Sequence, residues 1–567
     1  ASDVYKRQVY LYGMNEEIEE YYEELYRLYI DENQPLERRY RQLRESLERV
    51  VREKIQGNSL QTTDLAARIN YVATQYGLDL KEQNQLHTFR LTSNDILNHR
   101  KSPVKEEFLR DLRAVAYAYR KMFAQDIPLK LFSVLPKQEI ASSGKKEKME
   151  YIRRIRVCFD YADDTYLYVH PVDVTADEPI RVVYNKPGIN HEFEETIKEL
   201  WRYAQLNLLD VSVDRDGIYT PSFIVLEPDY LIDISSLAEC YKDYGSHPAN
   251  YFLSRLVPID NARPLLLGNI ANLFLDEWIH AGEEEPDYID CMKKAFRQYP
   301  IELAACAELR DPSKEKEFAK DCRMHFEHIR DVVQHTFLEP GYNLDKKEAV
   351  LEPSYICEAL GIQGRLDYMQ RDMSSFIEMK SGKADEFSMQ GKVEPKENNK
   401  VQMLLYMAVL EYSMGQDRRR MHPYLLYTRY PLLYPARASW AQVRRVINLR
   451  NRIVAAEYGV QFHNHPDFTR NLLAQINPEV VNERKLSGRF WEQYLKPSIS
   501  RFREKLSALE PLEQAYFYTL YNFITKELYT SKSGDVDYEG RAGACLLYTS
   551  PSHETVLDLV CRLLLFG

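Results

Sequence analysis

The sequence predicts an α/β protein, with a helical N-terminal region and a β-rich segment ahead of a mixed helix–strand unit. Three observations carry this expectation. Apolar residues in the first quarter recur at helical spacing, the period shortens to two from Tyr151, and helices and strands alternate beyond Arg263. At roughly 150 residues per domain, 567 residues make about three or four domains.

Taken in order, Asn15–Ile55 divides into two helices at Pro35, and Leu36, Tyr40, Leu43, Leu47 and Val50 line one face of the second. The acidic run Glu16, Glu17, Glu19, Glu20, Glu23 and Glu24 reads as a solvated helix side. A third helix covers Val104–Ala124 and stops before Pro128, and the polar string Ala141–Lys148 reads as a linker. Tyr151–Tyr161, Thr165–Val169 and Pro179–Tyr184 alternate as half-buried strands, followed by a helix over His191–Leu209 and a strand over Ser222–Glu227. The α/β unit runs from Arg263 to about Val460. Phe462–Glu510 is helix interrupted by prolines, and Pro511–Tyr529 is an apolar-aromatic helix whose Tyr516–Ile524 face needs a partner.

The expected organisation is therefore a helical region at 9–140, a β-rich domain at 149–260, the α/β core at 263–460 and a helical stalk at 461–544. The strings ASDVYKRQ and CLLYTSPSH resemble translated sequencing-adapter read-through, so 1–8 and 545–567 read as foreign to the rest. The alternative is a native tail with a short apolar helix at Leu557–Phe566.

Composition narrows the class. No apolar run approaches the roughly 18 residues of a membrane-crossing helix. Eight cysteines without a CxxC pair make neither a disulfide scaffold nor a zinc ribbon, which points to a reducing, cytoplasmic setting. A net charge of −11 argues against a protein that coats nucleic acid. Between Lys400 and Arg452, however, ten basic residues (Lys400, Arg418, Arg419, Arg420, Arg429, Arg437, Arg444, Arg445, Arg450, Arg452) face only Glu411 and Asp417. That cluster suits a phosphate-tracking groove or a solvated helix face. Tyr424, Tyr427, Tyr430 and Tyr434 suit either core or base-stacking surfaces. His463 and His465 read as loop residues.

The chemistry concentrates in Leu351–Leu410. Gln363–Met369 and Ser375–Lys380 read as adjacent strands joined by a polar turn at Gln370–Met373, which brings Asp367 and Glu378 to one end of the sheet. Glu378 and Lys380, two apart on a strand, share a face. Two carboxylates beside a lysine suit a hard cation such as Mg²⁺ (or Mn²⁺), which lowers the pKa of its bound water. The plainer alternative is a surface hairpin in which Glu378 and Lys380 only pair with each other, worth under about 1 kcal/mol. Gln402 and Tyr406 lie one turn apart on the following helix.

Together GRLDY, FIEMKSGK and QMLLY resemble, in order and spacing, the motifs of RecB-like PD-(D/E)xK nucleases. The resemblance implies a restriction-endonuclease-like core at 263–460. Asp367 and Glu378 would hold the metal with the backbone carbonyl of Met379, Lys380 would be the catalytic lysine, and Gln402 and Tyr406 would steady the site. The family's first motif, G-x-x-x-H, matches Gly268, but Asn272 stands at the histidine position. Asn272 is then either a weaker ligand, helped by Asp276 one turn on, or an ordinary helix-face amide. LEPDYLIDISSLAECYKDYG looks like the segment that leads into the nuclease of flap-trimming nuclease-helicases. Cys240 sits where the first ligand of their iron–sulfur cluster would be, but no cysteine lies between Cys357 and Cys545, so no cluster is expected.

The resemblance implies a metal-dependent deoxyribonuclease acting on single-stranded DNA or DNA ends in repair or replication, with a helicase half as partner in the same polypeptide and no membrane. Two alternatives stay open: an inactive nuclease fold serving a helicase as DNA-binding scaffold, and a stand-alone nuclease acting on RNA or branched DNA. The reading frame is expected to continue past Ala544 into a helicase half. Because no G-x-x-x-x-G-K-(S/T) string occurs in these residues, the chain by itself should not hydrolyse ATP. A phosphate-release assay with single-stranded DNA present checks this, and DNA-stimulated turnover would refute it.

Overall fold

The computed structural model describes residues 18–31, 33–55, 65–136, 150–172, 178–256, 263–342, 344–387, 392–436, 439–463 and 465–533. The expected linker at Ala141–Lys148, the two terminal strings and the segment after Ser533 lie outside them. The architecture is mixed α/β. Two compact units divide at Glu227/Pro228, so residues 228–256, read from the sequence as the end of the β-rich domain, pack with the second unit.

The first unit opens with helices α1 (18–30), α2 (Leu36–Ile55), α3 (Leu65–Gln75), α4 (Leu80–Leu97) and α5 (Lys105–Phe123). The α1–α2 break falls at Pro35, whose ring suits a helix start but not a helix interior. Tyr40, Leu43, Leu47 and Val50 are fully buried against Tyr22, Leu25, Phe89, Phe108, Leu112 and Tyr119, with Leu36 at the margin. Glu19 and Glu20 face solvent, while Glu23 and Glu24 pair with Lys130 and Arg49. Apolar spacing does not reveal α3 and α4, because their buried sides are partly polar: Arg68, Asn70, His87, Arg90 and Ser93 are all enclosed. A capping box does mark the start of α4, where Asp79 Oδ1 accepts from Glu82 N (2.7 Å) and Glu82 Oε2 accepts from Asp79 N (2.9 Å).

Six strands follow: β1 (Glu150–Ala162), β2 (Tyr166–Pro171), β3 (Ile180–Val183), β4 (Gln205–Val213), β5 (Ile218–Thr220) and β6 (Phe223–Leu226). β1 pairs with both β2 and β4, and β3 pairs parallel with β5, so the pairings close in the order β1-β2-β3-β5-β4-β1, with β6 added beside β4. Alternation along β2 buries Leu167, Val169 and Pro171 and leaves Tyr166, Tyr168 and His170 on the other face. The helix expected over His191–Leu209 is confined to His191–Lys198. From Gln205 the chain is strand β4, paired on one side with β1 and on the other with β5 and β6. Leu206, Leu208 and Leu209 fill the sheet's buried surface there, so tertiary pairing overrides a helix-compatible local pattern.

In the second unit come β7 (Ile232–Asp233), α6 (Ile234–Ala238), α7 (Ala249–Leu256), α8 (Arg263–His280), α9 (Tyr288–Gln298) and α10 (Pro312–Gln334). They are followed by β8 (Ala349–Leu351), β9 (Ser354–Cys357), β10 (Ile362–Arg365), β11 (Tyr368–Gln370), β12 (Ser375–Lys380), β13 (Asp385–Phe387) and β14 (Lys392–Glu394). Then come α11 (Glu397–Met414), β15 (His422–Tyr427), β16 (Leu432–Pro435), α12 (Trp440–His463), α13 (Pro466–Ala474), α14 (Lys496–Ala508) and α15 (Pro511–Ser533). The main sheet has the order β16-β15-β12-β11-β8. Its β12 and β15 run parallel and are joined through α11, while β11 and β12 form an antiparallel hairpin. A smaller sheet has the order β7-β10-β9.

α15 packs against α12 and α13. Phe517, Tyr518, Tyr521 and Ile524 are buried, so much of the face expected to lack a partner has one within the unit, and Tyr516 and Phe523 remain exposed. Among the described residues no helix is long and apolar enough to cross a membrane.

His87 gives the first unit a pH-dependent weakness. Its Nε2 lies 2.7 Å from Asn70 Oδ1, while its buried Nδ1 has no partner among the described residues. Burial, with the nearby Arg90 and His170 charges, pushes the imidazole down to about 3. The ordinary histidine value is about 6.5. The unfolded chain therefore binds the proton first, so the stability His87 confers falls as pH drops from about 6.5 toward 3. Hydrogen exchange of α4 peptides, corrected for intrinsic rates, should lose about 1–2 kcal/mol of protection between pH 7 and pH 5. Most of that loss should vanish in His87→Gln; an undiminished loss there would assign it to other groups.

Candidate functional site

The strand expected over Gln363–Met369 is two strands. β10 belongs to the small sheet and β11 to the main one, and the chain changes sheets at Leu366–Asp367. Backbone bonds hold the crossing: Leu366 N donates to Pro353 O (3.1 Å), and Glu352 N donates to Asp367 O (3.1 Å). The register Tyr368↔Ile377 then sets Asp367 across from Glu378, as the hairpin reading required.

Gly364 is explained by close approach. A Cβ there would lie 3.0 Å from both Ile234 of α6 and the Tyr406 ring of α11. With that space free, Tyr406 OH reaches Arg365 O (2.5 Å) and pins the backbone two residues before Asp367. α11 is tied to the sheet at its other end, where Tyr427 OH accepts from Lys396 N (3.0 Å) and Asn399 Nδ2 (2.6 Å). Sequence reasoning left Tyr427 open between core and stacking surface; it is buried, as is Tyr424.

Between these pins four of the expected residues meet. Lys380 Nζ donates to Glu378 Oε1 (2.8 Å), and Gln402 Nε2 donates to the same oxygen (2.6 Å). Asp367 Oδ2 accepts from Met379 N (2.6 Å). Glu378 is only 3% exposed, so the surface-hairpin alternative does not describe it. Its second oxygen, Oε2, is buried with no hydrogen-bond partner among the described residues. Burial, reinforced by the Asp367 charge, pushes Glu378 up to about 8. Asp367 is likewise raised by burial, against the pull of Lys380 and the Met379 N–H. Burial works against the Lys380 ammonium, but the charge and hydrogen bond of Glu378 hold it above its ordinary value.

The α8 residues lie differently. Gly268 lets that helix close on the loop after Lys380, since a Cβ there would meet Ser381 Oγ at 3.3 Å. Asn272 is half-buried without a hydrogen-bond partner among the described residues. Asp276 is pushed up to about 6, by burial first and then by the Glu352 charge, with Asp367 contributing.

Three neighbours were not legible as site residues. Arg365 Nη1 bonds Glu352 Oε2 (3.0 Å) while most of its side chain stays in solvent. Glu352 adopts a left-handed backbone (φ +49°). Glu239 follows α6 and accepts from Asn398 Nδ2 (3.1 Å) and Lys242 Nζ (2.9 Å). Arg365 at least stands inside the GRLD string; Glu352 and Glu239 are ordinary acids until the fold assembles them.

The basic cluster does not form one groove. Arg450 is fully buried, with Nη2 donating to Tyr230 O (2.6 Å) and Nε to Gly361 O (3.2 Å), and Arg444 is also enclosed. Arg419, Arg420 and Arg445 remain exposed, and Arg437 lies outside the described residues. His463 stacks on Phe468, and His465 Nδ1 caps α13 by accepting from Asp467 N (3.2 Å). Cys240 is buried, with its thiol donating to Ser236 O (3.3 Å) and pushed up to about 12 by that burial.

The donor set fits a hard divalent cation: two desolvated carboxylates side by side, one with an unengaged oxygen. No group of three or more His, Cys, Asp or Glu among the described residues could hold a metal ion. A resident ion would therefore take Asp367, Glu378 and a backbone carbonyl, the Met379 one on the resemblance. No protein-family model matches the chain, and no curated protein matches it.

The pair also makes a thermodynamic prediction. A cation neutralising two buried carboxylates stabilises the folded chain, by about 1–2 kcal/mol when its concentration is roughly tenfold over Kd. Mg²⁺ at roughly 10 mM should raise the unfolding midpoint of the parent and not that of Asp367→Asn/Glu378→Gln. Without metal the double variant should be at least as stable as the parent, because the buried like charges are gone. An equal Mg²⁺ response in both proteins would place the ion elsewhere.

Proposed function

We propose that the second unit is a metal-dependent deoxyribonuclease of the RecB-like PD-(D/E)xK type, hydrolysing phosphodiester bonds in single-stranded DNA or at DNA ends. The observation that carries the reading is the buried Asp367–Glu378–Lys380 set, with Gln402 on one Glu378 oxygen and the other oxygen unengaged. The parallel β12–α11–β15 crossover beside the β11–β12 hairpin supports it, because it supplies the sheet on which the three motifs converge. In the full-length polypeptide we place this unit beside a helicase half.

When bound, Mg²⁺ or Mn²⁺ would polarise the scissile phosphate and acidify a water. The chain's own groups prepare for that. Gln402 and Lys380 fix Glu378 through Oε1 and so aim Oε2, and the Met379 N–H does the same for Asp367 through Oδ2. Lys380, kept charged by Glu378, orients a water or stabilises the charge that develops on the phosphate. Tyr406 fixes the backbone that carries Asp367. Asn272 reaches the ion, if at all, as a weak amide ligand.

Incubation of the chain with end-labelled single- and double-stranded DNA, in Mg²⁺, Mn²⁺ or EDTA, tests this. Cleavage should require the ion. Asp367→Ala and Lys380→Ala should each lower it by more than about a hundredfold with the fold intact. Gln402→Ala should lower it roughly tenfold to a hundredfold, as expected for a residue that orients a ligand. Undiminished cleavage by Asp367→Ala would remove the assignment. A parent inactive with every divalent ion would leave a DNA-binding scaffold.

A further inference from the structure

The order β1-β2-β3-β5-β4-β1, with β3 and β5 parallel and a short helix between β3 and β4, is that of an oligonucleotide/oligosaccharide-binding barrel. Such barrels take ligands over the face of strands 2 and 3 and the loops joining strands 1–2 and 4–5. Fold alone does not assign a ligand, so the side chains on that face decide.

Registers Tyr161↔Tyr168 and Tyr168↔Arg181 set an aromatic pair and a guanidinium in one row across β1, β2 and β3. The Tyr161 and Tyr168 rings stack at 4.3 Å, with Tyr161 51% exposed, and Tyr166 stands edge-on to Tyr168 at 6.5 Å. Arg181 lies over the Tyr166 ring at 5.8 Å and donates to Asp216 O (3.2 Å). Arg181, Lys186 and Arg215 are exposed and have no carboxylate partner among the described residues. Of the loop acids, Asp163 is occupied by Thr165 N, Tyr166 N and Tyr168 OH, and Asp214 by Asp216 N and Ile218 N. Asp164 and Asp216 are not engaged in this way.

We propose that this face binds a single-stranded oligonucleotide, its bases stacking on Tyr161, Tyr166 and Tyr168 and its phosphates meeting Arg181, Lys186 and Arg215. Uncompensated cations beside exposed rings fit a polyanion with planar bases better than a neutral sugar chain. The site belongs to the first unit and needs none of the cleavage residues.

Binding of a fluorescein-labelled thymidine oligomer of about 20 nucleotides to the full chain in EDTA tests it. Tyr168→Ala should weaken binding roughly fivefold or more, while Tyr168→Phe, which keeps the ring and loses the Asp163 bond, should retain it. Arg181→Gln, an exposed change that leaves the barrel intact, should lower the salt slope by about 0.7. Photocrosslinking with 5-iodouracil should label peptides carrying Tyr161 or Tyr168, which separates this face from the second unit. Unchanged affinity and slope in Tyr168→Ala and Arg181→Gln, or crosslinks confined to the second unit, would overturn the proposal. So would Tyr168-dependent binding of a neutral oligosaccharide without binding of the thymidine oligomer.

Discussion

Two carboxylates buried side by side govern the second unit. Asp367 and Glu378 have lost most of their water, and each raises the proton affinity of the other. Such a pair persists only if hydrogen bonds and a counter-charge oppose the desolvation. Lys380, the Gln402 amide and the Met379 N–H provide them. Each comes from a different local context: the same strand, a distant helix, and a backbone group across the hairpin. The pair therefore constrains where β11, β12 and α11 can lie.

The supports of that arrangement are themselves buried polar contacts. Tyr427 ties the start of α11 to the sheet, and Tyr406 ties its middle to the backbone at Arg365. Arg450, fully enclosed, bridges the carbonyls of Tyr230 and Gly361 and so joins the segment before β7 to the one before β10. Gly361 has a left-handed backbone (φ +65°), and a side chain there would run into the Arg450 guanidinium. An arginine drawn from a basic cluster thus serves the core, while Arg419, Arg420 and Arg445 of the same cluster stay in solvent. Composition cannot distinguish the two uses, because a guanidinium that satisfies buried carbonyls is chemically the same as one that meets phosphate.

The first unit solves a different problem. Its helices enclose arginine, asparagine and histidine side chains along with apolar ones. Its strands close on themselves, which removes most of the edges that would otherwise invite pairing with another chain. Closure also puts the outward side chains of β2 on a surface that the barrel interior does not need, so tyrosines at alternate positions stand free for another use.

By itself the sequence determined the helix break at Pro35, the core stripe of α2, the alternation of β1 and β2, and the motif residues Asp367, Glu378, Lys380 and Gln402. All of these are written locally, in the periodicity of a helix or strand or in a short string with fixed spacing. Only the tertiary structure decided that His191–Leu209 gives most of its length to a strand, that Gln363–Met369 divides between two sheets, and that Tyr427 and Arg450 are core. It also decided which distant acids, Glu352 and Glu239, stand beside the site. The physical reason is common to these cases: each outcome depends on pairing or burial between residues far apart in the chain. A strand segment with no preferred partner, or a polar group with no assigned neighbour, has no local signature until the fold supplies one.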